Sequence, residues 1–383
     1  MRNPFKYGTI VTGEDFADRE KELKLLSKEL TSGQHVLMYS PRRYGKSSLM
    51  IMVLQELKKK GIMTTFIDLY GCIFLSDLVD KIVKETVVPA YDKMDKIVNF
   101  LKSSLTGLRP VITVNPSDGS FDISYKKEVA SAGENKVLSE VLDAPEKLAI
   151  AKNKPLVVVF DEFQEIENFD GKDLENLMRT HFQHHKHVTY VFTGSKKHLM
   201  EQMFTDSKRP FFKFARLFPL GKIPKEEFKA FIEKKFENTK VLVTPSIVDA
   251  IMTFTDGHPF FTQQLCHEVW NIACEKGKAQ KDDVSKAIES LTRIQSDLYI
   301  GMWDPLTLFQ KKLLTGISME DRKPAIFSAS FIEKYELVST SHVSRATGQL
   351  LKKGLVEKEN GCYTLSDIFF KEWIRRNGAS NHE

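Results

Sequence analysis

The chain has 383 residues, 42% of them hydrophobic and 28% charged, with a formal net charge of +5, which describes a soluble protein with room for two or three domains. No apolar run is long enough to span a bilayer, and Met1 Arg2 Asn3 Pro4 lacks the apolar core of a signal peptide, so a cytoplasmic protein with no membrane partner is expected. The mild positive charge permits an anionic partner without requiring one.

Residues Met1 to Gly33 read as a loop followed by a helix. Asn3 Pro4 Phe5 and Thr9 Ile10 Val11 are irregular apolar patches, and Asp18 is placed to cap a helix whose face carries Leu23, Leu26 and Leu30. For Ile10, Val11 and Phe16 two readings stay open, contact with a flat base or simple core packing.

Val36 to Tyr39 is a short apolar run that reads as a strand, and Leu49 to Leu57 has helical spacing. Between them stands Ser40 Pro41 Arg42 Arg43 Tyr44 Gly45 Lys46 Ser47 Ser48. A Gly-Lys-Ser element at that place lets the N–H groups of a helix N-terminus surround a phosphate. Lys46 would reach the β- and γ-phosphates, and the Ser47 hydroxyl would ligate Mg²⁺. Ser40 replaces the first glycine of G-x-x-x-x-G-K-[ST], which is acceptable if its φ stays negative. A basic surface turn is the bland alternative, and the strand before and helix after argue against it.

Lys58 Lys59 Lys60 Gly61 supplies a basic last turn and a glycine stop. Met63 to Leu69 reads as a buried strand ending in Asp68, and Leu75 to Val87 as a helix, so strands and helices alternate as in a parallel sheet. From about 92 to 151 that alternation is interrupted by an amphipathic helix, a hairpin and a second helix. Val111 to Val114 and Phe121 to Ser124 flank the turn cluster Asn115 to Ser120. The insertion could carry partner contacts or shield a sheet edge, with a lean to the first.

A second motif settles the reading of the first. Leu156 Val157 Val158 Val159 Phe160 is an apolar strand that delivers Asp161 and Glu162 at its C-terminal end, where ligands of open α/β sheets sit. Asp161 would hold Mg²⁺ through its water shell, and Glu162 would orient or deprotonate the attacking water. Leu174 to His181 reads as a helix and Val188 to Thr193 as a strand, after which Thr193 or Ser195 could bond the γ-phosphate or the water. His184 His185 Lys186 His187 reads as a solvated loop and is given no metal. Arg179, Arg209 and Arg216 are candidates for a charge-stabilising arginine; Arg179 enters the catalytic set.

From Pro224 to about Ile300 the pattern is helical, with Phe228, Phe231, Ile232 and Phe236 on one stripe and Ile247, Val248, Ile251 and Phe254 on another. Asp256 Gly257 His258 Pro259 Phe260 Phe261 opens the helix Gln263 to Cys274. It is either a lid turn near the phosphates or a helix corner with two buried phenylalanines.

Residues Met302 to Glu383 read as three helices and a hairpin, a winged helix. The helices are Leu308 to Ile317, Ser328 to Glu336, and a third capped by Thr340 or Ser341 and ending at Lys353; the hairpin turns at Glu359 Asn360 Gly361. In the third helix Val343, Ala346, Leu350 and Leu351 share a face, leaving His342, Arg345, Gln349, Lys352 and Lys353 for a nucleic-acid groove or a protein partner. From Met302 on there are twelve Lys and Arg against ten Asp and Glu, so strong phosphate attraction is weakly supported. Cys72, Cys266, Cys274 and Cys362 are scattered with no C-x-x-C pair, which indicates neither a zinc site nor a disulfide framework.

Nearly the whole chain resembles the archaeal-type ATPase family, a branch of the AAA+/STAND P-loop NTPases. The resemblance rests on Asn3 Pro4 Phe5, Ser40 to Ser47, Phe66 Ile67 Asp68 Leu69 Tyr70, Phe160 Asp161 Glu162 Phe163 Gln164, Phe192 Thr193 Gly194 Ser195 and Gly257 His258 Pro259 Phe260. It implies an ASCE-type parallel sheet with helices on both faces, another strand between the acidic strand and the P-loop strand, then a helical lid and a winged helix. It also implies that His258 and Pro259 sense nucleotide. A polar strand tip stands where many STAND proteins have an arginine.

The expectation is an α/β ATPase domain over 1–222, a helical lid over 223–300 and a winged helix over 301–383. ATP and Mg²⁺ are the expected ligands, and DNA or a protein the expected partner of the winged helix. The leading function is an ATP-driven conformational switch; the rival is a nucleotide-gated DNA regulator or mobile-element accessory. A scaffold that holds nucleotide and barely turns it over is a third reading. The oligomeric state stays open.

Overall fold

The computed structural model describes residues 2–17, 19–105, 108–114, 121–127, 134–169, 171–320, 324–359 and 361–378. The chain forms two compact units, one of Ile10–Lys222 and one of Met1–Thr9 with Ile223–Glu383. Asp18, the Asn115 to Ser120 cluster and Asn360 of the hairpin turn lie outside the described residues.

The first unit runs α1 (Glu20–Thr31), β1 (Val36–Tyr39), α2 (Lys46–Lys59), β2 (Met63–Asp68), α3 (Leu75–Thr86), α4 (Met94–Ser104), β3 (Leu108–Val114), β4 (Phe121–Lys127), α5 (Glu134–Leu142), α6 (Ala144–Lys152), β5 (Leu156–Asp161), α7 (Gly171–Phe182), β6 (Val188–Gly194), α8 (Lys197–Thr205) and β7 (Arg216–Pro219). Five strands form one sheet in the order β2-β5-β6-β1-β7, every neighbouring pair parallel. β6 therefore separates the Gly-Lys-Ser strand from the acidic strand, as the resemblance implies. Among the described residues β3 and β4 pair with each other alone, antiparallel.

Each central strand is buried on both faces, so its apolar run is continuous and parity alone decides which helix layer a side chain meets. Leu156, Val158 and Phe160 of β5, Leu37 and Tyr39 of β1 and Tyr190 and Phe192 of β6 join the core that contains α3 to α8. Val157, Val159, Val36, Met38 and Val191 face α1 and α2. The insertion is built into this architecture, because Ile97, Phe100, Leu101, Val141, Leu142 and Leu148 belong to the first core. Its second helical stretch is two helices, α5 and α6, with Pro145 in the first turn of α6.

The second unit runs α9 (Lys225–Asn238), α10 (Pro245–Thr255), α11 (Pro259–Ala273), α12 (Lys281–Ile294), α13 (Ser296–Trp303), α14 (Leu308–Met319), α15 (Ala329–Lys334), α16 (Thr340–Lys352), β8 (Val356–Glu359), β9 (Cys362–Leu365) and α17 (Ile368–Gly378). The N-terminal segment is fastened here. Phe5 is buried against Phe236, ring centroids 4.9 Å apart, and Asn3 Nδ2 donates to the His267 carbonyl and to Asn271 Oδ1.

Helix α17, absent from the sequence reading, explains why helical and winged-helix segments share one unit. Its Phe369 packs on Phe254 and Phe261, and its Phe370 and Trp373 pack on Tyr299 and Trp303. Aromatic burial of this extent is a large apolar contribution. Two details of the winged helix correct the sequence reading. The cap of α16 is Ser339, whose Oγ accepts the His342 N–H at 3.4 Å, and not Thr340 or Ser341. Leu351 is exposed, whereas Val343, Ala346 and Leu350 are buried.

Candidate functional site

The loop after β1 has the backbone of an anion cradle. Arg43 at φ 63° and Gly45 at φ 87° alternate with Tyr44, whose φ is negative, and such alternation turns successive N–H groups to one side. Nothing lies within 4 Å of where a Gly45 Cβ would stand, so glycine is required there by its φ and not by space. Ser40 meets the condition set for it, since it keeps a negative φ. The first intrahelical bond of α2 runs from the Leu49 N–H to the Gly45 carbonyl, which leaves the N–H groups ahead of it at the positive end of the helix dipole. Arg42 and Arg43 are exposed at the loop tip, and Pro41 is half-buried. Lys46 is buried, its Nζ donating to the Ser40 and Pro41 carbonyls at 3.2 Å each.

Parity along β5 and β6 completes the site. Asp161 continues the series Val157 and Val159, and Thr193 continues Val191, so both point to the layer in which α2 begins. The result is one buried carboxylate held from three sides. Ser47 Oγ donates to Asp161 Oδ2 at 2.8 Å, and Thr193 Oγ1 and the Glu162 N–H (3.0 Å) donate to Oδ1. Burial raises the Asp161 carboxyl above the ordinary range, while the Thr193 and Ser47 hydrogen bonds pull the other way. Glu162 leaves the strand with φ 52°, and its Oε2 accepts the Ser195 hydroxyl at 2.8 Å.

Of the residues singled out in sequence, Lys46, Ser47, Asp161, Glu162 and Thr193 therefore come together. Ser48 is buried behind them, and its Oγ accepts the Val11 N–H at 3.1 Å, which brings Val11 and the exposed Ile10 beside the first turn of α2. These residues fit Mg²⁺, because a buried carboxylate facing a hydroxyl is a pair of hard oxygens that would hold such an ion.

Arg179 is a correction, because it does not join the site within this chain. Helix α7 runs back along the sheet, so a residue near its end lies by the strand starts; the guanidinium stacks on Phe214, 4.4 Å from the ring centroid, beside His35. Arg216 begins β7 at the same edge and pairs with Glu29, and Arg209 pairs with Glu167 and Glu175. Thr193 and Ser195 act on the two carboxylates, where sequence placed them on phosphate or water. His258 and Pro259 belong to the other unit, at a helix corner made by Asp256 and Gly257 in left-handed conformation; Phe261 is buried there and Phe260 half-buried. In the histidine run His187 is tied to Glu146 and His185 to Asp143, which also holds His181 at the end of α7.

Sequence reasoning missed Arg19. It is 2% exposed, and its guanidinium bridges the Tyr44 carbonyl (3.1 Å), the Gly221 carbonyl (2.9 Å) and Glu22, bracing the cradle loop against a segment 202 positions away. No local pattern marks such a bond. A cleft of about 460 Å³ lined by Lys24, Lys28, Glu56 and Lys60 lies at the far end of α2 from Lys46 and is separate from this site.

Comparison with known proteins bears on the family and the fold. Residues 16–265 match the family described as an ATPase domain predominantly from Archaea, and residues 297–376 match a winged helix domain. An ATP-binding protein of Methanocaldococcus jannaschii is 26% identical over 182 residues, 46% of either chain, so the match spans about half the length of that relative. Among solved structures, the Walker-type ATPase of Pyrococcus abyssi superposes with a TM-score of 0.65 at 19% identity, covering 97% of this chain and 99% of that one. The Aeropyrum pernix ORC2 protein gives 0.57 at 15% identity over 99% and 98%, and the ORC1 protein of the same organism, solved with DNA, 0.51 at 16% over 96% and 95%. These likenesses are in fold. The chain belongs to the ATPase domain family found predominantly in Archaea.

Proposed function

We propose that the protein binds ATP with Mg²⁺, hydrolyses it, and uses the cycle as a conformational switch. The observation that carries the reading is Asp161, a buried carboxylate held by Ser47 from the helix that follows the cradle loop and by Thr193 from the strand between them. The Arg43 to Ser48 backbone N–H groups would take the phosphates, with Lys46 turning from the Ser40 and Pro41 carbonyls to the β- and γ-oxygens. Ser47 and Asp161 would hold Mg²⁺, and the ion would offset the charge that develops on the phosphate oxygens. Glu162 would accept the proton of the attacking water. Ile10 and Val11, beside the first turn of α2, would flank the base, and His258 with Pro259 would respond to nucleotide from the helical segment. Bound γ-phosphate would hold one arrangement of the domains 1–222, 223–300 and 301–383, and hydrolysis would release it.

The test is phosphate release by the full chain. Wild type should turn over ATP only with Mg²⁺, and Glu162→Gln should lose at least about a hundredfold of that rate while still binding nucleotide. Equal turnover by Glu162→Gln would remove the base assignment.

A second reading, nucleotide-gated DNA contact, is favoured by the exposed row His342, Arg345, Gln349 and Lys352 on α16, and by DNA in the structure of the ORC1 relative. A duplex titration at two salt concentrations decides it. Arg345→Ala and Lys352→Ala should weaken binding and flatten the salt dependence; no binding at low salt would leave a protein partner for this face.

A further inference from the structure

Glu162 is held at one oxygen only. Its Oε2 accepts the Ser195 hydroxyl at 2.8 Å, the Ser195 N–H at 3.3 Å and an Nε2–H of Gln164, whereas Oε1 has no hydrogen-bond partner among the described residues. Three donors converging on a single oxygen fix both the position of a carboxylate and its rotation, leaving the other oxygen to face whatever enters the site.

Gln164 is placed there at a cost. It is 2% exposed in the 3-10 turn Phe163–Asn168, and its Oε1 is buried with no hydrogen-bond partner among the described residues. A buried acceptor without a donor destabilises a fold. Rotating the amide would set that oxygen against the Glu162 carboxylate, so only the present orientation is favourable. The amide Nε2 also reaches Glu165 Oε1, at 3.4 Å. Space for the side chain comes from Gly194, where a Cβ would stand 2.3 Å from Gln164 Oε1 and 2.6 Å from Met200. Gly194 ends β6, one residue before Ser195 and one after Thr193, so a single strand end supplies the Asp161 donor, the room for Gln164 and the Glu162 donors.

We propose that Ser195 and Gln164 are positioning residues for the hydrolytic base: they fix Glu162 through Oε2 and thereby assign Oε1 to the attacking water. The inference rests on the reading of Glu162 as that base. In the step, the water oxygen bonds to the γ-phosphorus, Oε1 takes the water proton, and the bond from the γ-phosphorus to the bridging oxygen breaks, its electron pair leaving with ADP. Ser195 and Gln164 exchange no proton in it. Their contribution is geometric, a carboxylate that does not reorient between water capture and attack.

The experiment measures steady-state phosphate release and, separately, affinity for the non-hydrolysable analogue AMP-PNP with Mg²⁺, on the full chain. Ser195→Ala should lower kcat by about tenfold or more with KM and analogue affinity unchanged, and Ser195→Thr, which keeps the hydroxyl, should restore most of kcat. Gln164→Leu removes the unmet acceptor together with the donor, so it should lower kcat with Tm equal or raised, an outcome that a purely structural glutamine would not produce. Unchanged or increased kcat in Ser195→Ala overturns the proposal, as does a loss confined to KM and affinity. Glu162→Gln, assayed in parallel, separates the two failures. If it is inactive while Ser195→Ala and Gln164→Leu match wild type, only the positioning roles fall; if it turns over like wild type, the base reading and this inference fall together.

Discussion

Ser47 Oγ lies 2.8 Å from Asp161 Oδ2, although 114 positions separate the two residues. The bond joins the first turn of α2 to the end of β5, with β6 between their strands and its Thr193 completing the contact. Metal and phosphate chemistry would meet at that junction. Removing either partner should therefore have the same effect: Ser47→Ala and Asp161→Asn are each expected to weaken the Mg²⁺-dependent part of ATP binding, and the double variant to lose little more than either single one. Calorimetric titrations with and without Mg²⁺ measure this coupling, and fully additive losses would contradict it.

Thr193 orients the Asp161 carboxylate from the far side. Thr193→Val keeps the shape and deletes the donor, and outer hydrogen bonds of this kind are worth about tenfold or more in metal affinity. The expected result is a rise of that size in the Mg²⁺ concentration needed for half-maximal ATP binding. An unaltered Mg²⁺ requirement would make Thr193 a packing residue only.

Arg19 braces the cradle loop from behind. Arg19→Met leaves the Tyr44 and Gly221 carbonyls without their donor, at a cost of about 2–4 kcal/mol. Urea denaturation should show that loss, and ATP affinity should fall with it, because a loop free to relax must be ordered on binding. Loss of stability with full affinity would confine Arg19 to the fold.

His35 gives the first unit an acid sensitivity. Burial first, then the neighbouring Arg179 and His185 charges, lower it from 6.5 to about 4, and its Nδ1 accepts the Tyr190 N–H at 3.1 Å. A folded-state value below the unfolded one means that its contribution is complete above pH 6.5 and is lost as pH falls towards 4, up to about 3 kcal/mol. His35→Asn, which keeps an acceptor and does not titrate, should flatten that part of the pH profile in urea denaturation at pH 7 and pH 4.5. An unchanged profile would assign the acid sensitivity to other groups.

The sheet was legible in the sequence wherever a strand is buried on both faces, because Val36 to Tyr39 and Leu156 to Phe160 are continuous apolar runs bounded by polar loops. β7 escaped for the opposite reason: it is a four-residue edge strand of which only Phe218 is buried. Lys46, Ser47, Asp161 and Glu162 were legible because each sits at a strand end or helix start, places that pattern alone can fix. Arg179 was misplaced, yet the antiparallel course of α7 relative to β5 would have set it at the strand starts. Arg19 and the Gln164–Glu162 contact depend on how distant or turning segments fold against each other, and no periodicity encodes that.

The account turns on one claim, that the Gly45 Lys46 Ser47 loop and Asp161 bind nucleotide and Mg²⁺ as one site. Calorimetric titration of the full chain with AMP-PNP tests it most directly, with and without Mg²⁺, on wild type, Lys46→Ala and Asp161→Asn. The prediction is binding by wild type that Mg²⁺ tightens, none by Lys46→Ala, and binding by Asp161→Asn without the Mg²⁺ increment. Wild-type affinity in Lys46→Ala, or an intact Mg²⁺ increment in Asp161→Asn, would contradict it.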